Sequence, residues 1–137
     1  MRKRMRFSVL ASGSSGNAFY AESNQARILV DAGLTARETE RRLSLVGIAP
    51  GSLDALFITH EHSDHIRGAG VLARRYRIPL FINRKTFESG RKKLGKVPCL
   101  NMIRTGQTLM INDMQVETFT KCHDAADPLG IVLCVDG

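Results

Sequence analysis

Three cysteines in 137 residues are too few, and odd in number, to staple a secreted disulfide scaffold. A chain of this length buries a real core without staples, and one ordinary domain, residues 1–137, fits it. Long hydrophobic runs are missing as well: none approaches the roughly 18 residues of a membrane span. Arg2, Lys3, Arg4 and Arg6 look like the start of a signal peptide, but the apolar stretch Phe7–Ala11 behind them contains Ser8 and is too short. The expected compartment is a reducing cytoplasm, with no membrane partner. Internal repeats, low-complexity tracts and linkers are absent. The Gly/Ser-rich stretch Ser12–Gly16 lacks a following Gly-Lys-Ser/Thr, which excludes a P-loop, and it is not a Gly-x-Ser-x-Gly nucleophile elbow.

Acidic residues are scarce in one stretch only. Residues 74–96 carry nine basic residues and a single acid, Glu88, whereas residues 97–137 carry two bases and five acids. That stretch accounts for the formal net charge of +7. It reads either as a solvated helix face or as a track for phosphates, and a track needs its Lys and Arg on one side. Aromatic interleaving is thin (Tyr76, Phe81, Phe87), so contact with a nucleic-acid backbone is expected rather than base stacking.

Strands are expected at 6–11 and 18–22 around a small-residue turn, Ser12–Asn17, and at 26–31. Thr35 and Glu38 have capping-box spacing, and Ala36, Thr39, Leu43 and Val46 recur at helical spacing up to Gly47. Residues 53–59 read as a buried strand. Ile66, Ala69, Gly70, Ala73 and Tyr76 fit one face of a single following helix, stopped by Pro79. A short strand at 80–82, a basic helix over 83–95, and strands at 100–103, 108–111, 115–120 and 130–135 complete the pattern. Asn112-Asp113 and Asp136-Gly137 are turn pairs. The order suits a mixed sheet covered by helices, α/β or α+β in class.

Chemistry concentrates in His60-Glu61-His62-Ser63-Asp64-His65, three histidines and two carboxylates (with one more, Asp31, ending an earlier strand). Imidazole nitrogen and carboxylate oxygen suit zinc and neighbouring transition metals. The cluster follows a buried strand and precedes a helix, so a rigid scaffold holds the loop. His60 and His62, two apart in extended chain, point the same way; Asp64 and His65 turn into the helix start and face a second position. Glu61 and Ser63 alternate with them and point away, Glu61 being structural rather than catalytic. The cysteines, Cys122 beside His123 included, read as buried thiols and not ligands.

Thr59–His65 resembles the signature motif of the metallo-β-lactamase-fold hydrolases. Asp31 matches the family's first motif, and His123, in Lys121-Cys122-His123-Asp124-Ala125, its third metal-ligand histidine. Leu10–Asn17, His62–Gly70 and His123–Pro128 are similar to the bacterial YycJ/WalJ-like branch, which is associated with exonuclease activity on DNA. The resemblance implies an αββα sandwich and two divalent metals, zinc or manganese, in the full-length fold, at least one of them here. It implies that His60, His62 and His123 ligate the first ion. Asp64 and His65 begin the second site, and Asp64 also orients the attacking water. Asp31 supports a ligand histidine. The family's bridging Asp and last His have no counterpart, since Asp136 reads as a turn residue and no histidine follows His123. The chain is therefore expected to be an N-terminal portion of a longer protein, with a sandwich incomplete at its C-terminus and an exposed core that favours self-association.

The expected function is metal-dependent phosphodiester hydrolysis, as a 5'-3' DNA exonuclease, on a nucleic-acid partner. Ser12, Ser14, Ser15 and Asn17, in the small-residue turn, and Arg91, Lys92 and Lys93 are the candidate phosphate contacts. Two rivals stand beside this reading: a hydrolase of small esters, lactones or thioesters, and a non-catalytic nucleic-acid-binding fragment.

Overall fold

The computed structural model describes residues 4–120 and 128–135. Six strands form one sheet in the order β1 (Arg6–Ala11), β2 (Ala18–Glu22), β3 (Arg27–Val30), β4 (Ala55–Phe57), β5 (Leu80–Asn83), β6 (Leu100–Ile103). β1, β2 and β3 pair antiparallel; β3 through β6 run parallel. Three more strands, β7 (Thr108–Ile111), β8 (Met114–Thr120) and β9 (Leu129–Val135), form a separate antiparallel sheet.

The apolar runs of β3, β4 and β5 reflect burial on both faces of the first sheet. Alternate residues feed two different cores. Leu29, Leu56, Leu80 and Ile82 join a cluster with the helices, including Leu43, Ile66, Leu72 and Leu94. Ile28, Ala55 and Phe57 face the other way, towards Met114, Val116 and Leu129 of the second sheet. Phe57 and Phe81 stack there with ring centroids 4.7 Å apart. The result is three layers: helices, the first sheet, the second sheet. The second sheet's outer face leaves Met110, Phe119 and Val132 exposed.

Helix α1 (Ala36–Leu45) begins at Thr35, whose hydroxyl accepts from the Glu38 N–H at 3.2 Å. Only that half of the expected capping box forms. The Glu38 carboxylate turns outward to Arg41 and Arg42. Ala36, Thr39 and Leu43 are buried as expected, but Val46 lies at the helix end and is exposed. The single helix expected after residue 65 is two: α2 (Ser63–Ile66) and α3 (Ala69–Tyr76), broken at Arg67-Gly68. Gly68 donates its N–H to the Ala32 carbonyl at 2.8 Å, and a Cβ there would strike the Leu34 carbonyl. Close packing against the 31–35 segment, not local propensity, makes the break. Helix α4 (Arg84–Leu94) starts at Asn83, whose side chain accepts from the Thr86 N–H at 2.9 Å, and ends at Gly95 with φ of 68°. Of the cysteines, Cys134 is exposed and Cys99 half-buried, which corrects the expectation of buried thiols; Cys122 lies outside the described residues. No helix among the described residues is long and apolar enough to cross a membrane.

Candidate metal centre

In an open sheet with parallel strands, ligands bind beyond the carboxyl ends of those strands. Asp31 follows β3 and Thr59-His60 follows β4, so two neighbouring strands deliver their next residues to one place. The Asp31 N–H donates to the Phe57 carbonyl at 2.7 Å, and Asp31 then turns with φ of 64°. Asp and Asn are the non-glycine residues that tolerate this left-handed conformation best.

Asp31 is 5% exposed, so its carboxylate needs donors inside the protein. Oδ1 accepts from the Thr59 N–H at 2.8 Å. Oδ2 accepts from the Thr59 hydroxyl at 2.5 Å and lies 2.6 Å from His65 Nδ1. The acceptor-only carboxylate therefore assigns the Nδ1–H tautomer to His65. Thr59 has one hydroxyl proton, and Asp31 takes it. Thr59 Oγ1 consequently accepts from His60 Nδ1, 2.7 Å away, so His60 also carries its lone pair on Nε2. One threonine and one aspartate thus set the tautomers of two histidines. The sequence reading did not single out Thr59. The signal was present, a hydroxyl residue between a buried strand and the first histidine, but it gains meaning only when Asp31 faces it.

Asp64 is held from the other flank. The Asn17 N–H donates to the Asp64 carbonyl at 2.7 Å, and its Nδ2 donates to the same carbonyl at 3.0 Å and to Asp64 Oδ2 at 3.2 Å. Within its own turn, Asn17 Oδ1 accepts from the Gly13 N–H at 3.1 Å. Gly33 sits where this turn crosses the 64–65 segment; its N–H donates to the Asn17 carbonyl at 2.9 Å, and a Cβ would strike the Asp64 carbonyl. Asp64 Oδ2 and His65 Nε2 are 3.6 Å apart.

Among the described residues, Asp31, His60 and His65 bring donor atoms within 4.8 Å of one another. His60 is buried, and its ring centroid lies 3.7 Å from that of His65 and 5.8 Å from that of His62. His62, Asp64 and His65 are half-buried. This nitrogen-and-carboxylate set fits a zinc-like ion. Asp31 already spends both oxygens on three donors, so its geometry suits holding His65 rather than ligating. His123, and with it the rest of 121–127, lies outside the described residues, as does Asp136. That segment begins after Thr120 and ends before Leu129, which pair with each other; the Leu129 N–H donates to the Thr59 carbonyl at 3.0 Å.

A cavity of about 250 Å³ opens beside the histidines, walled by Phe19, Val30, Leu129, Ile131 and Leu133. A larger one, about 460 Å³, sits at the start of β3 among Arg4, Arg6, Arg27, Glu22 and Asp54; no histidine lines it, and the chemistry is at the other end of the strand. Of the candidate phosphate contacts, Ser12, Ser14 and Ser15 are exposed on the turn that carries Asn17, while Asn17 itself faces Asp64. Arg91, Lys92 and Lys93 are exposed on α4, and Lys93 Nζ reaches the Glu61 carbonyl at 3.4 Å.

Residues 11–98 match the family model of the metallo-beta-lactamase superfamily. The chain is 45% identical over 127 residues to the exodeoxyribonuclease WalJ of Streptococcus pneumoniae, covering 90% of this chain and 47% of that protein. It is 39% identical over 127 residues to the exodeoxyribonuclease YycJ of Bacillus anthracis, covering 91% of this chain and 48% of that one. The chain thus spans about half the length of these curated relatives. A metallo-beta-lactamase of Cronobacter sakazakii has the same fold, with a TM-score of 0.79 at 13% identity over 93% of this chain and 54% of the other.

Proposed function

The chain belongs to the metallo-beta-lactamase superfamily, and from that premise we propose that it is the N-terminal portion of a metal-dependent phosphodiesterase, a 5'-3' exonuclease acting on DNA. The observation that carries the reading is the Asp31–Thr59 pair, which sets the tautomers of His60 and His65 at the mouth of a rigid sheet. Such outer hydrogen bonds orient metal-binding histidines and raise their basicity. Similarity to two exodeoxyribonucleases supplies the substrate class.

In this reading His60, His62 and His123 hold one divalent ion, zinc or manganese, and Asp64 and His65 begin a site for a second. When bound, such ions lower the pKa of a water and neutralise charge on a phosphoryl oxygen. The chain's own residues do the rest. Asp31 and Thr59 keep the His60 and His65 rings turned to the site. Asn17 fixes the Asp64 carboxylate so that it can align the attacking water. The exposed serines of the 12–15 turn and Arg91, Lys92 and Lys93 of α4 supply the groups that hold the DNA backbone, with Lys93 in reach of the loop. The same reading places the protein in the cytoplasm, with Cys99 and Cys134 as thiols.

The first test is metal content. His60→Ala with His62→Ala should abolish tight zinc or manganese binding by this chain, read by elemental analysis after dialysis. Unchanged stoichiometry would remove the site assignment.

A further inference from the structure

Asn17 meets the metal loop twice, with its backbone and with its side chain. Its N–H donates to the Asp64 carbonyl at 2.7 Å, and its carbonyl accepts from the Gly33 N–H at 2.9 Å. The segments cross too closely there to admit a side chain, since a Cβ on Gly33 would strike the Asp64 carbonyl and crowd the Asn17 nitrogen. These contacts fix where Asn17 stands beside Asp64 and His65. Its side chain keeps rotation about the last bond, a broad torsion.

The amide nitrogen stands 3.2 Å from Asp64 Oδ2 and 3.4 Å from His65 Nε2, and those two atoms are 3.6 Å from each other. Ligands of a tetrahedral zinc-like ion, each about 2.0–2.2 Å from it, lie roughly 3.3–3.6 Å apart. The three atoms thus form a triangle of the size one ion spans. Two corners have the right chemistry. Asp64 offers a carboxylate oxygen, and His65, with its hydrogen on Nδ1 towards Asp31, offers the Nε2 lone pair. The third corner is an amide nitrogen, which carries two hydrogens and does not ligate. The other end of the same amide is a carbonyl oxygen, which does.

As the side chain stands, the turn engages both ends. Oδ1 accepts from the Gly13 N–H at 3.1 Å, and Nδ2 donates to the Gly13 carbonyl at 2.8 Å. A half rotation exchanges the two ends, which have nearly the same shape. It brings Oδ1 to the third corner and costs the turn both of those bonds.

We propose that Asn17 is a ligand of the ion whose site Asp64 and His65 begin, and that its amide is a switch: nitrogen inward, it braces the Ser12–Asn17 turn; oxygen inward, it holds the ion. This rests on the metal-dependent reading and deepens it, naming a third ligand 47 positions from Asp64 in sequence. It also couples two parts of the site. Rotation releases Gly13, so the turn that presents the exposed Ser12, Ser14 and Ser15 loosens as the ion is taken up.

Manganese binding to this 137-residue chain is measured from the paramagnetic resonance signal of the free ion. The parent should take up a tighter ion and a weaker one. Asn17→Asp has oxygen at both ends of its side chain and needs no rotation, so it should tighten the weaker ion about tenfold or more, the lower end of the range for groups that tune a metal site. Asn17→Ala should weaken the same ion by at least about as much. The tighter ion should stay unmoved in both. A gain in the aspartate variant cannot come from a damaged fold. With diamagnetic zinc in place of manganese, NMR should show the parent's Gly13 N–H exchanging faster with solvent once the weaker ion is bound. Three results overturn the ligand while leaving the phosphodiesterase reading intact: Asn17→Ala binding the weaker ion as tightly as the parent, Asn17→Asp showing no gain, or the weaker ion missing from all three chains. Unchanged Gly13 exchange overturns the rotation. A parent that binds neither ion overturns both readings.

Discussion

Every polar group of Thr59 is engaged at the candidate site. Its N–H and hydroxyl serve Asp31, its Oγ1 receives His60, and its carbonyl receives Leu129 from the second sheet. Removing the hydroxyl leaves a buried carboxylate oxygen short of a donor, which costs about 1–3 kcal/mol, and loosens a histidine. Thr59→Val, which keeps the shape, should therefore lower the melting temperature and weaken zinc binding about 10–100-fold, the range for lost outer-shell partners. Competition with a chromophoric chelator reads the affinity, and Thr59→Ser should restore most of it. If Thr59→Val bound zinc as tightly as the parent, the tautomer-setting role would be wrong. His60 and His65, which the fold brings together, stood out in sequence by residue type and spacing. Thr59 did not, because a threonine's role depends on what faces it, and Asp31 is 28 positions away.

Most helices and strands were legible because their signals are local. The Thr35 cap, the Asn83 start and the Gly95 stop are chemistry within one turn. The break between α2 and α3 was not, since it comes from the approach of the 31–35 segment to Gly68. Helix α1 carries a pH-dependent element. Hydrogen bonds from Arg41 and Arg42 lower the Glu38 carboxyl from 4.5 to about 2. A carboxyl whose folded pKa is depressed stabilises the fold above its unfolded pKa, and that contribution fades as pH falls through the folded value. Glu38→Gln should accordingly melt lower than the parent at pH 7, and the difference should shrink from about pH 4.5 down to about 2. The pair is at the surface, so the gap should be small and should close in high salt. A gap that persists at pH 2 would assign it to side-chain packing instead.

At the scale of the whole molecule, the second sheet carries apolar residues on both sides, those on the outer side set among Gln115 and Glu117. Its inner face completes the core with Ile28 and Phe57, while its outer face exposes Met110, Phe119 and Val132. Phe7 and Val9 are exposed on the first sheet's terminal strand, next to Phe19. We propose that these surfaces drive self-association of this chain, since apolar patches of this kind seek a partner. Sedimentation velocity should show concentration-dependent assembly. Phe119→Lys with Val132→Lys should shift it towards monomer without lowering the melting temperature. A parent that stays monomeric at high concentration would refute this.

The sequence by itself determined which chemistry to look for. Histidine and carboxylate spacing after a buried strand pointed to the candidate metal loop, the alternation of apolar residues identified the sheets, and the charge count located the basic stretch. Those are properties of neighbours along the chain. Tertiary structure alone decided which groups act together. It brought Asp31 and Thr59 into a pair that sets two imidazole tautomers, turned Asn17 onto Asp64, tied Arg74 to the end of α4 and Arg75 to Glu40, and brought Lys93 to the Glu61 carbonyl. The physical reason is the same in each case. Hydrogen bonds act over about 3 Å and depend on direction, so their partners are fixed by where the β-strands end and how the helices are rotated, which sequence distance does not measure.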